Sequence, residues 1–283
     1  MGEVLKKLYK YFDEIEIKKL LEDLDNKQRA NIINDNFFAK IGKNSNKLFF
    51  ENLIKEKNIY INNSENDNLP NLIDSYSDND YCLIILERIK GQAIGKSRND
   101  FNLYLTKRQR KNIIDSVLNI KNITITGNFD NNYNRQEKLE KYLTASKPFI
   151  SKVAYNKIEK LKNIIINEKY NRVLSHSDLI STNIMIKDNK VIFIDWEFIS
   201  YKPKYYDLIY FLLFSKVNKS VDILYENNFD VDKKEALKDG IILCLKEIQN
   251  NAKLFGKLDK KIIDKNINRW KKELNNILKK FSD

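Results

Sequence analysis

The stretch from Leu174 to Asp207 constrains this chain most, because it sets three polar residues, Asp178, Asn183 and Asp195, at fixed intervals among short apolar runs. It reads Leu-Ser-His-Ser-Asp-Leu-Ile-Ser-Thr-Asn from Leu174 to Asn183 and Ile-Asp-Trp-Glu from Ile194 to Glu197. Between them, Ile184 to Ile186 and Val191 to Ile194 are strand-like and flank the polar turn Lys187-Asp-Asn-Lys190, so they read as a β-hairpin. The hairpin returns the chain beside its start and leaves Asp195 at a strand end.

That arrangement suits one chemistry. Moving a γ-phosphoryl group needs a carboxylate to accept the acceptor's proton and oxygen ligands for the Mg²⁺ that neutralises the triphosphate. Asp178 reads as the base, with Asn183 and Asp195 as the metal ligands. The spacing from Asp178 to Asn183 is that of the H-R-D-x-x-x-x-N loop of protein kinases. His176 is the single histidine among 283 residues, and it falls where that pattern places its histidine. A lone histidine is more often structural, and His176 reads as a brace for the loop through a backbone hydrogen bond.

At these residues the sequence resembles the aminoglycoside phosphotransferases and choline/ethanolamine kinases. The match runs through His176-Ser-Asp178-Leu-Ile-Ser-Thr-Asn183, then Ile194-Asp195-Trp196-Glu197, then Asp207-Leu-Ile. The form Ile-Asp-Trp-Glu, followed by an aromatic residue and by Tyr-Tyr-Asp-Leu, is closer to the bacterial choline kinase branch. The resemblance implies an α+β, bilobal protein-kinase-like fold, with a small N-terminal lobe of antiparallel β-sheet and one helix and a larger, mainly helical C-terminal lobe. It also implies ATP and Mg²⁺ as cofactors and a small alcohol as acceptor. Asp207 would brace the catalytic loop, although a first-turn acid is also favoured there by the helix dipole.

Length and charge are compatible with this. The chain can bury a sizeable core as one large domain or two lobes. No apolar run approaches bilayer-spanning length and no charged-apolar-small leader follows Met1, so a cytoplasmic location is expected. Cys82 and Cys244 lie in apolar contexts without metal or disulfide spacing and are expected as buried free thiols. The formal net charge of +12 invites a nucleic-acid reading. However, the lysines are spread over almost every segment, among many asparagines and isoleucines, and no Arg-rich block or RNA motif accompanies them. The charge therefore reads mainly as compositional drift on solvated faces, or as a surface favouring anionic ligands such as nucleotide or a membrane, and nucleic acid is not the expected partner.

Along the chain, residues 3 to 24 read as helix or as a mixed segment that becomes sheet. Lys27 to Ile33 and Phe37 to Ile41 are strand-like around the turn Asn34-Asp-Asn36. Lys40 lies inside the second strand, where it either faces solvent or, as kinases use it, grips phosphates. Asn46 to Lys57 is helical. Glu51, eleven residues after Lys40, is the acid expected to pair with it if it is not an ordinary surface glutamate. A nucleotide-gripping turn would fall around Asp25-Asn-Lys27, which has no glycine. Leu72 to Tyr76 and Tyr81 to Leu86 read as strands leading into Glu87-Arg-Ile-Lys-Gly91, which looks like the family's hinge, with Glu87 and Ile89 as adenine-side residues. The division expected is 1–90 for a nucleotide-binding lobe and 91–283 for a catalytic and substrate-binding lobe.

Beyond the hinge, Leu105 to Ile120 is an amphipathic helix with Thr106 as its N-cap, and it ends in Leu118-Asn-Ile where the family commonly carries Leu-His. Helices are expected over Gln136 to Ser146, Phe149 to Lys169, Lys233 to Leu254 and Lys260 to Phe281. For the acceptor site, Glu197 could bind a cationic group or support a second Mg²⁺, or be a salt-bridge partner. Tyr201, Tyr205, Tyr206, Tyr210 and Trp270 could offer aromatic faces to a quaternary ammonium, although such spacing is also that of core residues. Choline or a related amino alcohol is the leading acceptor, with aminoglycosides or sugars as alternatives. A catalytically silent nucleotide- or partner-binding protein is the reading from another class. The sequence leaves oligomeric state open.

Overall fold

The computed structural model describes residues 1–97, 105–126, 129, 131–214, 220–226 and 229–282. In chain order it has helices α1 (Gly2–Leu8) and α2 (Glu14–Lys27), strands β1 (Arg29–Ile33) and β2 (Phe37–Lys43), and helix α3 (Lys47–Asn62). Strands β3 (Leu72–Ser77), β4 (Tyr81–Glu87) and β5 (Gln92–Ala93) follow, then helices α4 (Lys107–Asn119), α5 (Arg135–Ser146) and α6 (Lys152–Ile166). Next come the short strands β6 (Val173–Ser175), β7 (Ile184–Lys187), β8 (Lys190–Phe193) and β9 (Ser200–Lys202). The chain finishes with helices α7 (Tyr206–Phe214), α8 (Ile223–Glu226), α9 (Lys233–Ala252) and α10 (Lys260–Ser282). These elements form two compact units, one of Met1–Ile94, Thr106–Phe129 and Thr182–Ile199, the other of Gly95–Leu105, Asp130–Ser181 and Ser200–Asp283.

The first unit is built on an antiparallel sheet in the order β1-β2-β4-β3. Residues 3–24, ambiguous by periodicity, form α1 and most of α2, with a turn between them from Tyr9 to Asp13. Asp13 starts α2 with a capping box, accepting from the Glu16 amide while Glu16 reaches back to the Asp13 amide, which satisfies two orphan donors at once. Val4, Leu8, Ile17, Leu20 and Leu24 from α1 and α2 pack on Ala39, Ile41, Leu83 and Ile85, one face of the sheet. The other face meets α3, where Phe49 and Leu53 lie against Gly42. With both faces covered, β4 is apolar without alternation: Cys82 to Leu86 are all buried, the pattern of a strand with no wet side. Burial pushes the Cys82 thiol up to about 12, so it stays a thiol.

The expected hairpin forms from β7 and β8, which pair from Ile184↔Phe193 to Lys187↔Lys190. Its turn residues, Asp188 and Asn189, both have positive φ, 51° and 65°, as a tight right-twisting hairpin needs and as Asp and Asn tolerate best. β5 adds to β7 as the third strand. Gly91 precedes it, and a Cβ there would meet the Ile186 carbonyl oxygen at 2.6 Å, so only glycine lets the two backbones approach.

The second unit is mostly helical. α7 is buried at all nine of its residues, which explains why its sequence is apolar all round rather than amphipathic. α9 packs beside it and beside α5 and α10. β6 and β9 form a two-stranded ladder, Leu174↔Tyr201 at its centre. The expected helices over 136–146, 149–169, 233–254 and 260–281 appear as α5, α6, α9 and α10 with ends shifted by a few residues. In the first unit, Thr106 caps α4 as expected, accepting from the Gln109 amide.

Candidate active site

In the first unit Lys40 sits on the β2 face that looks at α3, because alternation places Ala39 and Ile41 against the other layer. Its ammonium is 2.9 Å from Glu56 Oε2 and also pairs with Asp195 at the end of the β7–β8 hairpin. Burial works against its charge, but Glu56 and Asp195 outweigh that cost and raise the pKa above the ordinary lysine value. Glu56 is itself fixed, accepting from the Tyr60 hydroxyl at 2.9 Å and the Trp196 amide at 3.3 Å.

Asp195 adopts φ 69°, a left-handed conformation uncommon outside glycine, asparagine and aspartate. Asn183 lies beside it in the backbone network, its carbonyl accepting from the Ile194 amide at 3.0 Å. Lys40, Glu56, Asn183 and Asp195 line a cavity of about 430 Å³ walled by Ile33, Phe38, Leu86, Ile89 and Met185. That volume lies within the usual range for small-molecule sites, about 300–1,000 Å³. Asn31, Glu87 and Arg88 add further polar groups to the lining.

Among the described residues no group of three or more His, Cys, Asp or Glu could hold a metal ion by itself. Mg²⁺ bound with a nucleotide does not require one, since one or two carboxylates suffice when phosphates and water fill the remaining positions. Asn183 and Asp195 fit that role, offering oxygen donors at a cavity wall. Glu197 is half-buried, and burial followed by the neighbouring Asp195 carboxylate pushes its carboxyl above the ordinary range.

Ile89 lines the cavity, while the Glu87 carboxylate accepts from Asn71 Nδ2 at 2.7 Å and Lys187 Nζ at 3.0 Å. The Glu87 and Arg88 amides donate to the carbonyls of Asn71 and Asn36, at 2.9 and 2.8 Å. The turn expected around Asp25 to Lys27 is instead the last part of α2. The hairpin turn between β1 and β2 is Asn34 to Asn36, where Asn34 Oδ1 accepts from the Asn36 and Phe37 amides at 3.0 and 2.9 Å.

In the second unit Asp178 is buried, and its Oδ1 accepts from the Tyr210 hydroxyl at 2.8 Å. The loop carrying it is tied to α7 through Asp207, which accepts from Ser175 Oγ at 2.7 Å and from the His176 and Ser177 amides at 2.7 and 3.0 Å. Burial raises the Asp207 carboxyl's pKa against the opposing pull of His176 and these donors. His176 is fully buried, and its backbone N–H is one of the donors that Asp207 accepts from.

Three expectations need correction. Glu51 is not the partner of Lys40; it is half exposed and lies 3.9 Å from Lys47, while Glu56, one and a half turns on, makes the pair. The signal was present: Phe49, Leu53, Glu56 and Tyr60 fall at i, i+4, i+7 and i+11, so Glu56 is the acid inside the apolar stripe. Trp270 cannot offer a face to an acceptor, because it is 1 % exposed and packed on Phe214 with centroids 5.1 Å apart. The Tyr205 and Tyr206 rings are already met by this chain's lysines, Lys204 at 5.1 Å and Lys202 at 5.8 Å. Tyr201 remains half-buried on β9. Sequence reading did not foresee that Tyr210 holds Asp178; its place one turn after Asp207 on α7 would have put the two on one face.

The model of the ecdysteroid kinase-like family matches residues 97–228, a little under half of the chain, including Asp178, Asn183, Asp195 and Asp207. No curated protein sequence matches the chain. A choline/ethanolamine kinase family protein from Mesorhizobium loti superposes with a TM-score of 0.60 at 8% identity, covering 90% of this chain and 87% of its own. An aminoglycoside phosphotransferase solved with GDP and kanamycin gives 0.60 at 13% identity, covering 88% and 91%. Choline kinase LicA from Streptococcus pneumoniae gives 0.55 at 14%, covering 94% and 99%. The chain thus has the protein-kinase-like α+β fold of these small-molecule kinases, the class of fold that its sequence resembles.

Proposed function

We propose that this chain is an ATP- and Mg²⁺-dependent small-molecule kinase that phosphorylates a hydroxyl of a small acceptor. The observation that carries the reading is Lys40, buried between Glu56 and Asp195 on the wall of the 430 Å³ cavity. A lysine held by a helix glutamate and aimed at a cavity lined by Asn and Asp is what the phosphates of a nucleotide require. Mg²⁺, held by Asn183 and Asp195, would neutralise charge on the phosphates. Lys40 would bind phosphate oxygens, with Glu56 keeping its ammonium in place. Asp178 would accept the proton of the acceptor hydroxyl as its oxygen bonds to the γ-phosphorus and the bond from phosphorus to the nucleoside diphosphate oxygen breaks. Tyr210 donates to Oδ1 of Asp178 and so fixes that carboxylate.

For the acceptor we propose choline or a related amino alcohol, with aminoglycosides and sugars as alternatives. The LicA and aminoglycoside phosphotransferase likenesses support this range, and the lysines over Tyr205 and Tyr206 disfavour those rings as an ammonium cage. Purified protein with Mg-ATP and a panel of choline, ethanolamine, aminoglycosides and simple sugars should release ADP only with one acceptor class. Absence of acceptor-dependent ADP throughout the panel, with no calorimetric binding of Mg-ATP, overturns the assignment.

A second reading is a nucleotide-binding protein without turnover. It is favoured by the β1–β2 turn, which has no glycine and whose Asn36 and Phe37 amides already bond Asn34 rather than facing phosphate. Mg-ATP binding without ADP release from any acceptor would select it.

A further inference from the structure

Two turns lie together at one end of the second unit. α5 ends at Ser146, which donates to the Leu245 carbonyl of α9 at 2.8 Å, so α5 and α9 finish side by side. The α5–α6 turn and the α9–α10 turn then meet, and Phe149 stacks on Phe255 with ring centroids 6.2 Å apart. At this tip Val153 is 77 % exposed, Phe255 39 %, Leu258 53 % and Ile262 52 %. Gly256 turns the backbone with φ +82°, and a Cβ built on it meets nothing within 4 Å.

The charge here departs from that of the chain. Residues 147–153 and 253–262 contain six lysines, Lys147, Lys152, Lys253, Lys257, Lys260 and Lys261, all exposed, against one acid, Asp259. The whole chain has 51 basic to 39 acidic residues, so the tip is basic well beyond the general drift. Asp259 is itself engaged, accepting from the Lys261 amide at 2.7 Å.

We infer that this tip is a docking surface for an anionic phospholipid bilayer. Aliphatic and aromatic side chains at the point of a turn enter the acyl boundary, and lysines around them lie at the headgroups. Each lysine near an anionic leaflet strengthens binding by about fivefold. A nucleic acid would use the lysines but not Leu258 and Ile262, since its backbone offers phosphate and no apolar phase. Among the described residues no helix is long and apolar enough to cross a membrane, so the contact is peripheral.

The test is sedimentation of the full chain with phosphatidylcholine vesicles, with and without about a third phosphatidylserine. Binding is expected only to the anionic vesicles, and it weakens as salt rises. Lys257→Glu with Lys261→Glu, and separately Leu258→Ser with Ile262→Ser, should each weaken it by at least about tenfold. Thermal melts establish that both variants are folded, and the single changes Lys261→Glu and Leu258→Ser replace a pair that is not. No binding to anionic vesicles, equal binding to phosphatidylcholine alone, or binding indifferent to the apolar pair would each overturn the proposal. Loss with the charge pair but not the apolar pair, together with equal competition by polyuridylate, would assign the tip to nucleic acid instead.

Discussion

Each unit of this chain buries a cation between two carboxylates, and the two triads differ in one respect. In the first, Lys40 lies between Glu56 and Asp195, with side-chain exposures of 9%, 1% and 35%. In the second, Arg135 lies between Glu235 and Asp239, with exposures of 1%, 4% and 0%. In the second no member is more than 4% exposed, although Glu235 also lies on the wall of a surface pocket. Arg135 also donates to the Asn167 carbonyl at 3.0 Å, Tyr133 donates to Asp239 at 3.1 Å and Lys238 to Glu235 at 2.7 Å. In the first, Asp195 is 35% exposed where it meets the cavity. A buried charge triad with every group satisfied ties elements together, whereas one with a carboxylate left facing a cavity can exchange partners with a ligand. The type of residue does not decide between these roles; access does.

The comparison breaks most sharply at Asp195. Asp195→Ala should lower acceptor-dependent turnover by about a thousandfold or more, measured as ADP release with the acceptor found in the panel. The melting temperature should fall only by the strain of alanine at φ 69°, because Lys40 keeps Glu56 and the Asp195 contact is partly screened by solvent. A variant with normal turnover removes Asp195 from the site.

In the closed triad the effect moves to stability. Arg135→Ala leaves Glu235 and Asp239 buried with their main partner gone, which should cost about 3–5 kcal/mol in chemical denaturation. Asp239 is fully buried, and burial raises its carboxyl even with Arg135 beside it, so part of the response will be protonation. A loss under about 1 kcal/mol would mean that the network is solvated.

The next contrast is between two glutamates of one helix. Glu56→Gln should reduce turnover by roughly ten- to a hundredfold through loss of the Lys40 anchor, while Glu51→Gln should leave it within about twofold. Reversal of that order would restore Glu51 as the partner. The choice between them shows what the sequence could and could not reveal. The hairpin that joins Asn183 to Asp195 was legible because it is local: two short strands and a tight turn bring its ends together. The pairing of Lys40 depended on which side of α3 is dry, which is set by β2 and β4, so spacing from Lys40 alone selected the wrong acid. The α5–α9 triad gave no local signal, since Arg135 and Asp239 are 104 residues apart. The N-terminal helices were ambiguous for a similar reason, their apolar face being defined by a sheet that follows them.

The smallest effect distinguishes the closed triad by pH. Glu235 is pushed up by burial but held below its ordinary value by Lys238 and Arg135. A carboxyl whose folded pKa is depressed gives stability that is present above the unfolded value, about 4.5, and lost as pH falls through the folded value. Glu235→Gln should therefore melt below the parent at neutral pH, with the gap narrowing as pH drops under about 4.5. Asp239 shifts in the opposite direction, in part because of the Glu235 charge itself, so the difference between the two melting curves reports Glu235 together with its effect on Asp239. A gap that stays constant across that range would mean that Lys238 and Arg135 stabilise the glutamate by shape and hydrogen bonding that the amide reproduces, rather than by its charge.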